Sequence, residues 1–368
     1  MKVKNNYNEC LTNLACSIRK HFELDYNHNT LDYIDKLLEE KQPKNVIVML
    51  FDGMGSRILE RTLPGDAFFI KNKYKDITTV FPATTTAATQ SMRSGLNPVE
   101  HGWMGWNTYI EPIDKTITLF LNTEKGSEET CNEFLSVKDN ILYQDFIPSL
   151  INKEGKYSSI ELFPFGPDAY NGLDDMLSRI KELAKKEGKK YIYAYDDQPD
   201  GTMHDFGPDS IEAQTLIKER NEKVEKLCSE LEDSIIIIVA DHGHIKVEHI
   251  FLNEYPELLN MLERTTALEQ RAVAFKIKEV QKENFVNLFN ELFGKYFTLY
   301  TKEDVIESKL FGDGTPCSIF EPALGDFIAI AETSNKCLVV DGDDILVSQH
   351  AGYTDDEIYV PLIIIDKK

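Results

Sequence analysis

The sequence predicts an α/β fold in which a mainly parallel central sheet carries helices on both faces. Near-continuous apolar runs recur along the chain, as in strands that are buried on both sides. Amphipathic stretches with helical spacing separate several of these runs, and strands that alternate with helices favour a parallel sheet. Acidic residues directly follow several runs, at the strand ends where such sheets bind ligands. The 368 residues fit one domain over 1–368 with an inserted region.

The predicted elements begin with a helical N-terminal segment over 1–42, which contains one helix at 8–21 and a second from about residue 30. The core strands are predicted at 45–53, 77–81, 191–197, 234–243 and 360–366, and the helices between them at 174–187 and 211–231. Residues 245–344 interrupt this alternation. They contain two helical patterns and one strand-like stretch, at 254–262, 282–293 and 271–277. We interpret this region as an inserted cap that forms part of the substrate wall.

The charge balance is strongly acidic, with 62 Asp and Glu residues against 40 Lys and Arg and a formal net charge of -22. This field repels polyanions, so a nucleic-acid polymer is not expected as a partner. No apolar run reaches the ~20 residues of a membrane span, and the N-terminus lacks the pattern of a signal peptide. Six scattered cysteines without CxxC spacing indicate neither a disulfide framework nor a zinc ribbon. We therefore expect a cytoplasmic protein that does not bind membranes; the oligomeric state is left open.

Two short motifs pair a carboxylate with an imidazole. In PDGTMHDFGP (199–208), Asp200 and His204 are four residues apart, which on a helical turn places both on one face, as in a zinc-ligand pair. This spacing is common by chance, and a helix-capping aspartate beside an exposed histidine would also explain it. In ADHGH (240–244), Asp241 and His242 directly follow a run of apolar residues, where a buried histidine needs partners for both ring nitrogens.

A third motif, QHAGY (349–353), brings His350 into a turn before the last strand. A solitary histidine there would more often be structural than a ligand. The motifs and Asp52, which ends the 45–53 run, together supply three carboxylates and three imidazoles, with Asp197 as an alternative to Asp200. This mixture suits Zn²⁺ and is tolerated by Mn²⁺ or Fe²⁺. Six ligands suffice for two ions, which could hold a phosphoryl group between them.

The stretch VFPATTTAATQSMRSG (80–95) places three threonines at a junction between a strand and a helix. A threonine hydroxyl is a poor nucleophile at neutral pH, so coordination to one of the two ions would activate it. The N-terminus of the following helix would direct backbone N–H groups at a bound phosphate. The residues alone do not distinguish which threonine would act.

Five blocks of the sequence, taken in order, resemble the signatures of the alkaline phosphatase superfamily, in its type I phosphodiesterase and nucleotide pyrophosphatase branch. The blocks are DGMG (52–55), FPATTTAATQSMRSGLNPVEHG (81–102), PDGTMHDFGP, ADHG and HAGY. The resemblance runs from residue 45 to the C-terminus. It implies an alkaline phosphatase-like core, two metal ions, most often zinc with manganese as an alternative, and a phospho-threonine intermediate. It also implies hydrolysis of phosphodiester or pyrophosphate bonds in a small phosphorylated substrate such as a nucleotide.

The resemblance assigns ligands to each ion. Those of the ion that activates the nucleophile correspond to Asp52, Asp241 and His242, and those of its partner to Asp200, His204 and His350. The family's nucleophile lies ten residues before the glycine of its GLxPxxHG motif, which is Gly95 here. This count makes Thr85 the nucleophile and a further metal ligand.

Other positions of the resemblance are less regular. The backbone N–H of Thr86 is expected to bind phosphate, as is Asn107, although a strict count for the phosphate-binding asparagine falls on Trp106. Ala88 stands where family members often have asparagine, and HAGY replaces the commoner HGY. We interpret His101 as structural. Three further acids could support the ligands instead of binding the ions: Asp196, Asp197 and Asp205.

The preferred ester type depends on the charge around the phosphate. Monoesterases generally need extra positive charge, and the one cation in the nucleophile motif, Arg93, is expected to face away or pair with an acid. We therefore favour diesters and pyrophosphates. Trp103 and Trp106 could stack on a nucleobase or an aromatic leaving group, although such residues more often pack in a core or a lid. Alternatives are a phosphonoacetate hydrolase-like or phosphomonoesterase activity, a phosphopentomutase-like isomerase, or a metal-binding protein without turnover.

Overall fold

The structure is a computed structural model that describes residues 3–368. The strands of this part of the chain are β1 (Asn45–Phe51), β2 (Lys73–Thr78), β3 (Asn107–Ile110), β4 (Lys115–Thr118), β5 (Thr123–Glu124), β6 (Ser158–Leu162), β7 (Lys190–Asp196), β8 (Ser234–Val239), β9 (Ile245–Lys246), β10 (Glu248–Phe251), β11 (Ala267–Glu269), β12 (Ala272–Phe275), β13 (Thr298–Thr301), β14 (Phe327–Ile330), β15 (Lys336–Val339), β16 (Ser348–Gln349) and β17 (Tyr359–Lys367). They form a six-stranded sheet, a seven-stranded sheet and two strand pairs.

The six-stranded central sheet has the order β2-β17-β8-β1-β7-β6. Strands β6, β7, β1 and β8 are parallel neighbours, whereas β17 runs antiparallel between β8 and β2. Every residue of β1, β7 and β8 is buried, as expected for strands that are covered on both faces. The predicted mainly parallel sheet is therefore confirmed.

Helices cover this sheet on both faces. The α-helices within residues 3–368 are α1 (Leu11–His21), α2 (Asp32–Lys41), α3 (Ser56–Thr62), α4 (Phe68–Asn72), α5 (Thr85–Ser94), α6 (Pro98–His101), α7 (Asn132–Ile141), α8 (Ile147–Glu154), α9 (Gly172–Lys185), α10 (Asp200–Phe206), α11 (Ile211–Glu230), α12 (Pro256–Leu259), α13 (Lys282–Phe293), α14 (Lys302–Glu307), α15 (Phe320–Leu324) and α16 (Asp355–Ile358). One packed group contains α1, α2, α5 and α8, and another contains α3, α4, α9 and α11. In the part of the chain that the structure describes, no helix has both the length and the hydrophobicity to span a bilayer.

The seven-stranded second sheet has the order β13-β14-β12-β11-β3-β4-β5. Strands β11 to β14 come from the predicted insertion, whereas β3 to β5 come from 107–124, which the sequence analysis did not assign to it. The two parts meet where Leu268 of β11 pairs with Asn107 of β3. Helix α13 packs beside this sheet with a buried row of Phe285, Phe289 and Phe293.

Two predicted elements differ from the structure. The strand expected at 77–81 lies at Lys73–Thr78 because the last residues of the apolar run belong to the loop that leads into α5. The long helix expected at 254–262 is a 3₁₀ turn, Leu252–Glu254, followed by the short α12. Pro256 starts α12, since its missing N–H is tolerated only in a first turn.

Candidate active site

The strand ends of the central sheet bring the predicted ligands together. Asp52 follows β1, Asp200 begins α10 after β7, and the Asp241–His242 pair follows β8. Because β17 runs antiparallel to β8, the chain that enters β17 arrives at the carboxyl edge of β8. His350 lies in this entering segment, between β16 and α16. Residues from four distant parts of the chain therefore meet at one edge.

Thr85 is the first residue of α5 and points its hydroxyl into this cluster. Its Oγ1 lies 3.2 Å from Asp52 Oδ2, 3.3 Å from Asp52 Oδ1 and 3.1 Å from His242 Nε2. Thr84 is the N-cap, with extended backbone angles, so α5 begins at the nucleophile candidate itself. The first N–H groups of a helix have no acceptor within it and can bind an anion placed beside Thr85.

The first ligand group surrounds Asp52, Asp241 and His242. The Nε2 of His242 lies 3.2 Å from Asp52 Oδ1 and 3.6 Å from Asp241 Oδ2. Oδ1 of Asp241 accepts hydrogen bonds from the backbone N–H groups of Gly53 and His242, each at 3.0 Å. Its Oδ2 is buried and has no hydrogen-bond partner among the described residues. The Tyr195 hydroxyl donates to Asp52 Oδ2 and fixes that carboxylate.

The second ligand group contains Asp200 and three histidines. Asp200, His204, His244 and His350 each offer one ligand atom, and these atoms all lie within 4.8 Å of one another. The Nε2 of His244 is 2.5 Å from Asp200 Oδ1, and that of His204 is 3.4 Å from Asp200 Oδ2. Asp200 also forms a triplet with Asp52 and His242, so its carboxylate lies between the two groups.

Each histidine of the two ligand groups forms a hydrogen bond through Nδ1, so its Nε2 is the nitrogen that can act as a ligand. The Nδ1 atoms of His204, His242 and His350 face the carbonyl oxygens of Ser348, Gly243 and Ala83 at 2.8, 3.1 and 3.1 Å. A carbonyl oxygen only accepts, so each Nδ1 carries the proton. For His244, Nδ1 lies 2.9 Å from the Ser348 hydroxyl, which itself donates to the Met203 carbonyl at 2.5 Å. His244 Nδ1 must therefore also be the donor.

The protonation equilibria show that the cluster fits cations. Burial, followed by repulsion from Asp200, raises the pKa of Asp52 well above its usual range, and burial and Asp52 do the same for Asp241. Burial lowers the pKa of His244 to about 4 and that of His350 well below its usual range. His204 differs, since burial alone would lower its pKa but Asp200 raises it to about 9. The neutral imidazoles of His244 and His350, the repelling carboxylates Asp52 and Asp241 and the orphaned Asp241 oxygen are groups that divalent ions stabilise.

The two predicted phosphate contacts are placed differently. Asn107 is 9% exposed, and its Oδ1 accepts a hydrogen bond from Thr118 Oγ1 at 2.8 Å, which leaves its NH₂ group to donate into the cavity that it lines. The Thr86 side chain is fully buried and does not reach that cavity; its Oγ1 has no partner among residues 3–368. A phosphate contact from Thr86 can therefore come from its backbone N–H alone.

The remaining candidates lie outside the ligand groups. His101 is fully buried, with Nε2 3.0 Å from Ser91 Oγ and Nδ1 accepting from the Trp103 N–H, which is a structural role. Asp196 forms a buried ion pair with Arg220 at 2.7 Å. Both other neighbouring acids, Asp197 and Asp205, are exposed.

Arg93, the cation of the nucleophile motif, pairs with Glu161 at 2.8 Å and stacks on Phe146, as expected for a side chain that faces away. Of the two tryptophans, Trp103 is 5% exposed and packs against Phe120, whereas Trp106 lines the cavity. Trp103 is thus a packing residue, and Trp106 is the aromatic surface available to a substrate.

The cavity beside the ligand groups has a volume of about 400 Å³. Thr85, His204 and His350 form its floor, and its wall includes Glu269 of the second sheet and Asp343 of the loop after β15. Lys125 pairs with Asp343 at 2.7 Å, with both side chains 5% exposed, and so joins the loop after β5 to the loop after β15.

Comparison with known proteins gives two further findings. The family model described as type I phosphodiesterase / nucleotide pyrophosphatase matches residues 46–353. The chain belongs to this family. Membership of this family supports a general type of activity for the chain, that of a phosphodiesterase-type hydrolase.

Solved structures with a similar fold include mouse and human ectonucleotide pyrophosphatase/phosphodiesterase 5. An inactive variant of the mouse protein in complex with AMP is 19% identical, with 86% of this chain and 87% of that chain covered and a TM-score of 0.64. The human protein is 20% identical, with 87% of each chain covered and a TM-score of 0.63. These likenesses confirm the α/β fold of this family member.

Sequence reasoning missed three residues of the site. His244 stands in the same ADHGH motif as His242, and two residues along an extended chain point to the same side, which was the available signal. Tyr195 lies within the predicted strand at 191–197, where nothing in the pattern separates it from the other buried tyrosines. Glu269 lies in the predicted insertion, far from every motif.

Proposed function

We propose that this protein hydrolyses phosphodiester or pyrophosphate bonds of a small phosphorylated substrate, such as a nucleotide, through a phospho-threonine intermediate. The observation that carries the proposal is the position of Thr85 Oγ1, within 3.3 Å of both Asp52 carboxylate oxygens and of His242 Nε2. The N-terminus of α5 and the Asn107 amide lie beside it and can donate hydrogen bonds to the phosphoryl oxygens.

Two divalent ions, zinc or alternatively manganese, fit the two ligand groups. The first group would hold one ion through Asp52, Asp241, His242 and the Thr85 hydroxyl, and Asp200, His204, His350 and His244 would hold the other. When bound, the ions supply positive charge that lowers the pKa of the nucleophile and neutralises the phosphoryl oxygens.

The residues of the chain then account for the course of the reaction. The Thr85 hydroxyl gives its proton to solvent and its oxygen attacks phosphorus; a bond from Thr85 oxygen to phosphorus forms as the bond to the leaving oxygen breaks, and the leaving group departs with that electron pair. Water then attacks the phospho-Thr85, which releases the phosphorylated product and restores the hydroxyl. The Asn107 NH₂ and the N–H of Thr86 stabilise the charge on the equatorial oxygens, where most transition-state stabilisation is expected.

The test compares Thr85→Ala with the wild-type protein, both loaded with zinc and, in parallel, with manganese. We expect turnover of a nitrophenyl phosphodiester to be abolished while metal content and the circular dichroism spectrum are retained. Thr215→Ala, which removes an exposed helical threonine in α11, is the matched control and should keep wild-type activity. Full activity of Thr85→Ala would refute the assignment of the nucleophile.

The same assay separates the alternatives. Preference for the monoester would favour a phosphomonoesterase, and transfer of phosphate within a sugar without release would favour an isomerase. If neither nitrophenyl ester is turned over, phosphonates are the next substrates to try. Stoichiometric phosphorylation of Thr85 without release would indicate a binding protein. A cytoplasmic location stays a prediction.

A further inference from the structure

Glu269 brings an acidic side chain into the cavity of the candidate nucleophile. It is the last residue of β11 and lines the cavity together with Thr85 and Asn107. Its Oε1 accepts a hydrogen bond from the Trp106 backbone N–H at 2.7 Å, and the Thr84 side chain is a further polar neighbour. Glu269 is therefore held between the residue that precedes Thr85 and the residue that precedes Asn107.

The backbone beside Glu269 is in an unfavourable conformation. Leu268 has a φ of 66°, in the left-handed region that residues with a side chain rarely adopt. Gly105 packs against it, and a Cβ at Gly105 would lie 3.0 Å from the Leu268 Cα. Strained backbone of this kind persists where the surrounding structure holds it and is concentrated at functional sites. Here the strained residue, Leu268, directly precedes Glu269, which is the one residue of β11 that lines the cavity.

The cavity offers this carboxylate no lysine or arginine as a partner. None of the described residues that line it is a lysine or an arginine. The nearest candidate in the nucleophile motif, Arg93, is paired with Glu161. Burial raises the pKa of Glu269 to about 7, while the Thr84 side chain and the Trp106 N–H oppose this shift. Above neutral pH the cavity therefore contains, beside the phosphate contacts, a carboxylate that no lysine or arginine of its lining neutralises.

We propose that Glu269 selects the substrate by charge: it disfavours a terminal phosphoryl group with two negative charges and admits a phosphodiester or internal pyrophosphate group with one. The inference rests on the proposed function and narrows its substrate class. It extends to the product, because hydrolysis of a diester releases a doubly charged monoester that the same carboxylate repels. Product release is thereby favoured over product inhibition.

The test uses Glu269→Gln, which removes the charge and keeps an oxygen to accept from Trp106. At pH 9, kcat/KM is measured for a nitrophenyl monoester and for the matching methyl nitrophenyl diester. We expect the ratio of kcat/KM for the monoester to that for the diester to rise about tenfold in the variant. Two unit charges a few ångströms apart at a partly buried site interact with an energy that corresponds to at least a tenfold change in kcat/KM. Glu129→Gln, an exposed acid outside the cavity with the same change in net charge, should leave the ratio unchanged.

A second measurement does not depend on turnover. Inorganic phosphate is titrated calorimetrically into metal-loaded wild type and Glu269→Gln, and we expect binding about tenfold tighter in the variant. Glu269→Asp, which keeps the charge, should resemble the wild type in both experiments.

The outcomes are distinct. An unchanged ester ratio with unchanged phosphate affinity would overturn the charge-selection proposal. Equal loss of both ester activities would also overturn it, since Glu269 would then act only by positioning Trp106. If the wild type hydrolyses neither ester, the proposed function fails, while the phosphate titration still decides the role of Glu269.

Discussion

His244 Nε2 and Asp200 Oδ1 lie 2.5 Å apart, and the Nδ1 proton of this imidazole is already engaged by the Ser348 hydroxyl. Two acceptors at that separation repel unless they share a proton or bind the same metal ion. We therefore predict that His244→Ala lowers the affinity of one of two zinc ions by at least the ten- to hundredfold typical of losing an outer partner of a metal site. Metal content after dialysis against a graded chelator series measures this.

The control for His244 is His249→Ala, which removes a half-buried histidine of β10 that belongs to neither ligand group. Its zinc content should equal that of the wild type. Retention of two tightly bound zinc ions by His244→Ala would contradict the prediction.

Tyr195 orients the carboxylate next to the nucleophile, since its hydroxyl donates to Asp52 Oδ2. We predict that Tyr195→Phe lowers kcat about ten- to hundredfold, the usual cost of losing a hydrogen bond that orients a ligand. Tyr193→Phe is a matched control on the same strand, because the buried Tyr193 hydroxyl has no partner among residues 3–368. Equal kinetics of the two variants would show that the bond to Asp52 has no catalytic effect.

Asn107 is predicted to contribute to transition-state binding through its NH₂ group. Removal of one such donor typically costs about 10²–10³ in kcat, so Asn107→Ala should fall in this range with a smaller change in KM. Thr118→Val removes only the hydroxyl that holds Asn107 Oδ1 and should lower kcat less. A larger effect from Thr118→Val would mean that the strand pair β3–β4 had been disturbed instead.

A buried ion pair secures the turn that carries His350. Arg271 binds both oxygens of Glu357, at 2.7 and 2.9 Å, and Glu357 also accepts from the N–H of Gly352. Both ionic side chains are fully buried. Because removal of one partner leaves a buried charge, Arg271→Met should lower the free energy of unfolding by about 3–5 kcal/mol. Urea unfolding at pH 7 checks this, with Glu60→Gln at an exposed ion pair as the control, expected to change stability by about 0–1 kcal/mol.

The same pair gives a pH dependence. Burial alone would raise the pKa of Glu357, but Arg271 and Thr354 lower it below its ordinary value of 4.5. A carboxyl with a depressed folded-state pKa contributes stability above its unfolded pKa and loses it as the pH falls through the folded value. The stability difference between wild type and Glu357→Gln should thus be constant above about pH 5 and shrink in more acidic solution. A difference that grows on acidification would contradict this.

Sequence patterns predicted the central sheet well because its inner strands are buried on both faces. Val46 to Leu50 and Ile235 to Val239 form apolar runs that few other structures explain. The edge strand β2 was predicted too late in the sequence. Its first three residues, Lys73, Tyr74 and Lys75, do not form an apolar run, because an edge strand is partly exposed to solvent. Strands β3 to β5 are short and threonine-rich, so their membership of the second sheet depends on pairing with distant β11.

For the candidate site, residue types and spacing indicated a metal-binding edge, and a family resemblance chose Thr85 from three neighbouring threonines. Patterning could not reveal His244 as a neighbour of Asp200, because their proximity depends on how the chain turns after β8. The sequence could not show that Glu269 faces the cavity for the same reason, because the direction of its side chain depends on the φ of Leu268.

The position of β17 has a consequence for the nascent chain. This strand is inserted between β8 and β2, so β2 has no neighbour in the sheet until about 280 further residues have been synthesised. His350 is also translated more than 100 residues after Asp241 and His242. A ribosome-bound chain can therefore assemble β1, β7 and β8 early, but it cannot complete either the sheet edge or the candidate metal centre before β17 and the segment that carries His350 have been translated.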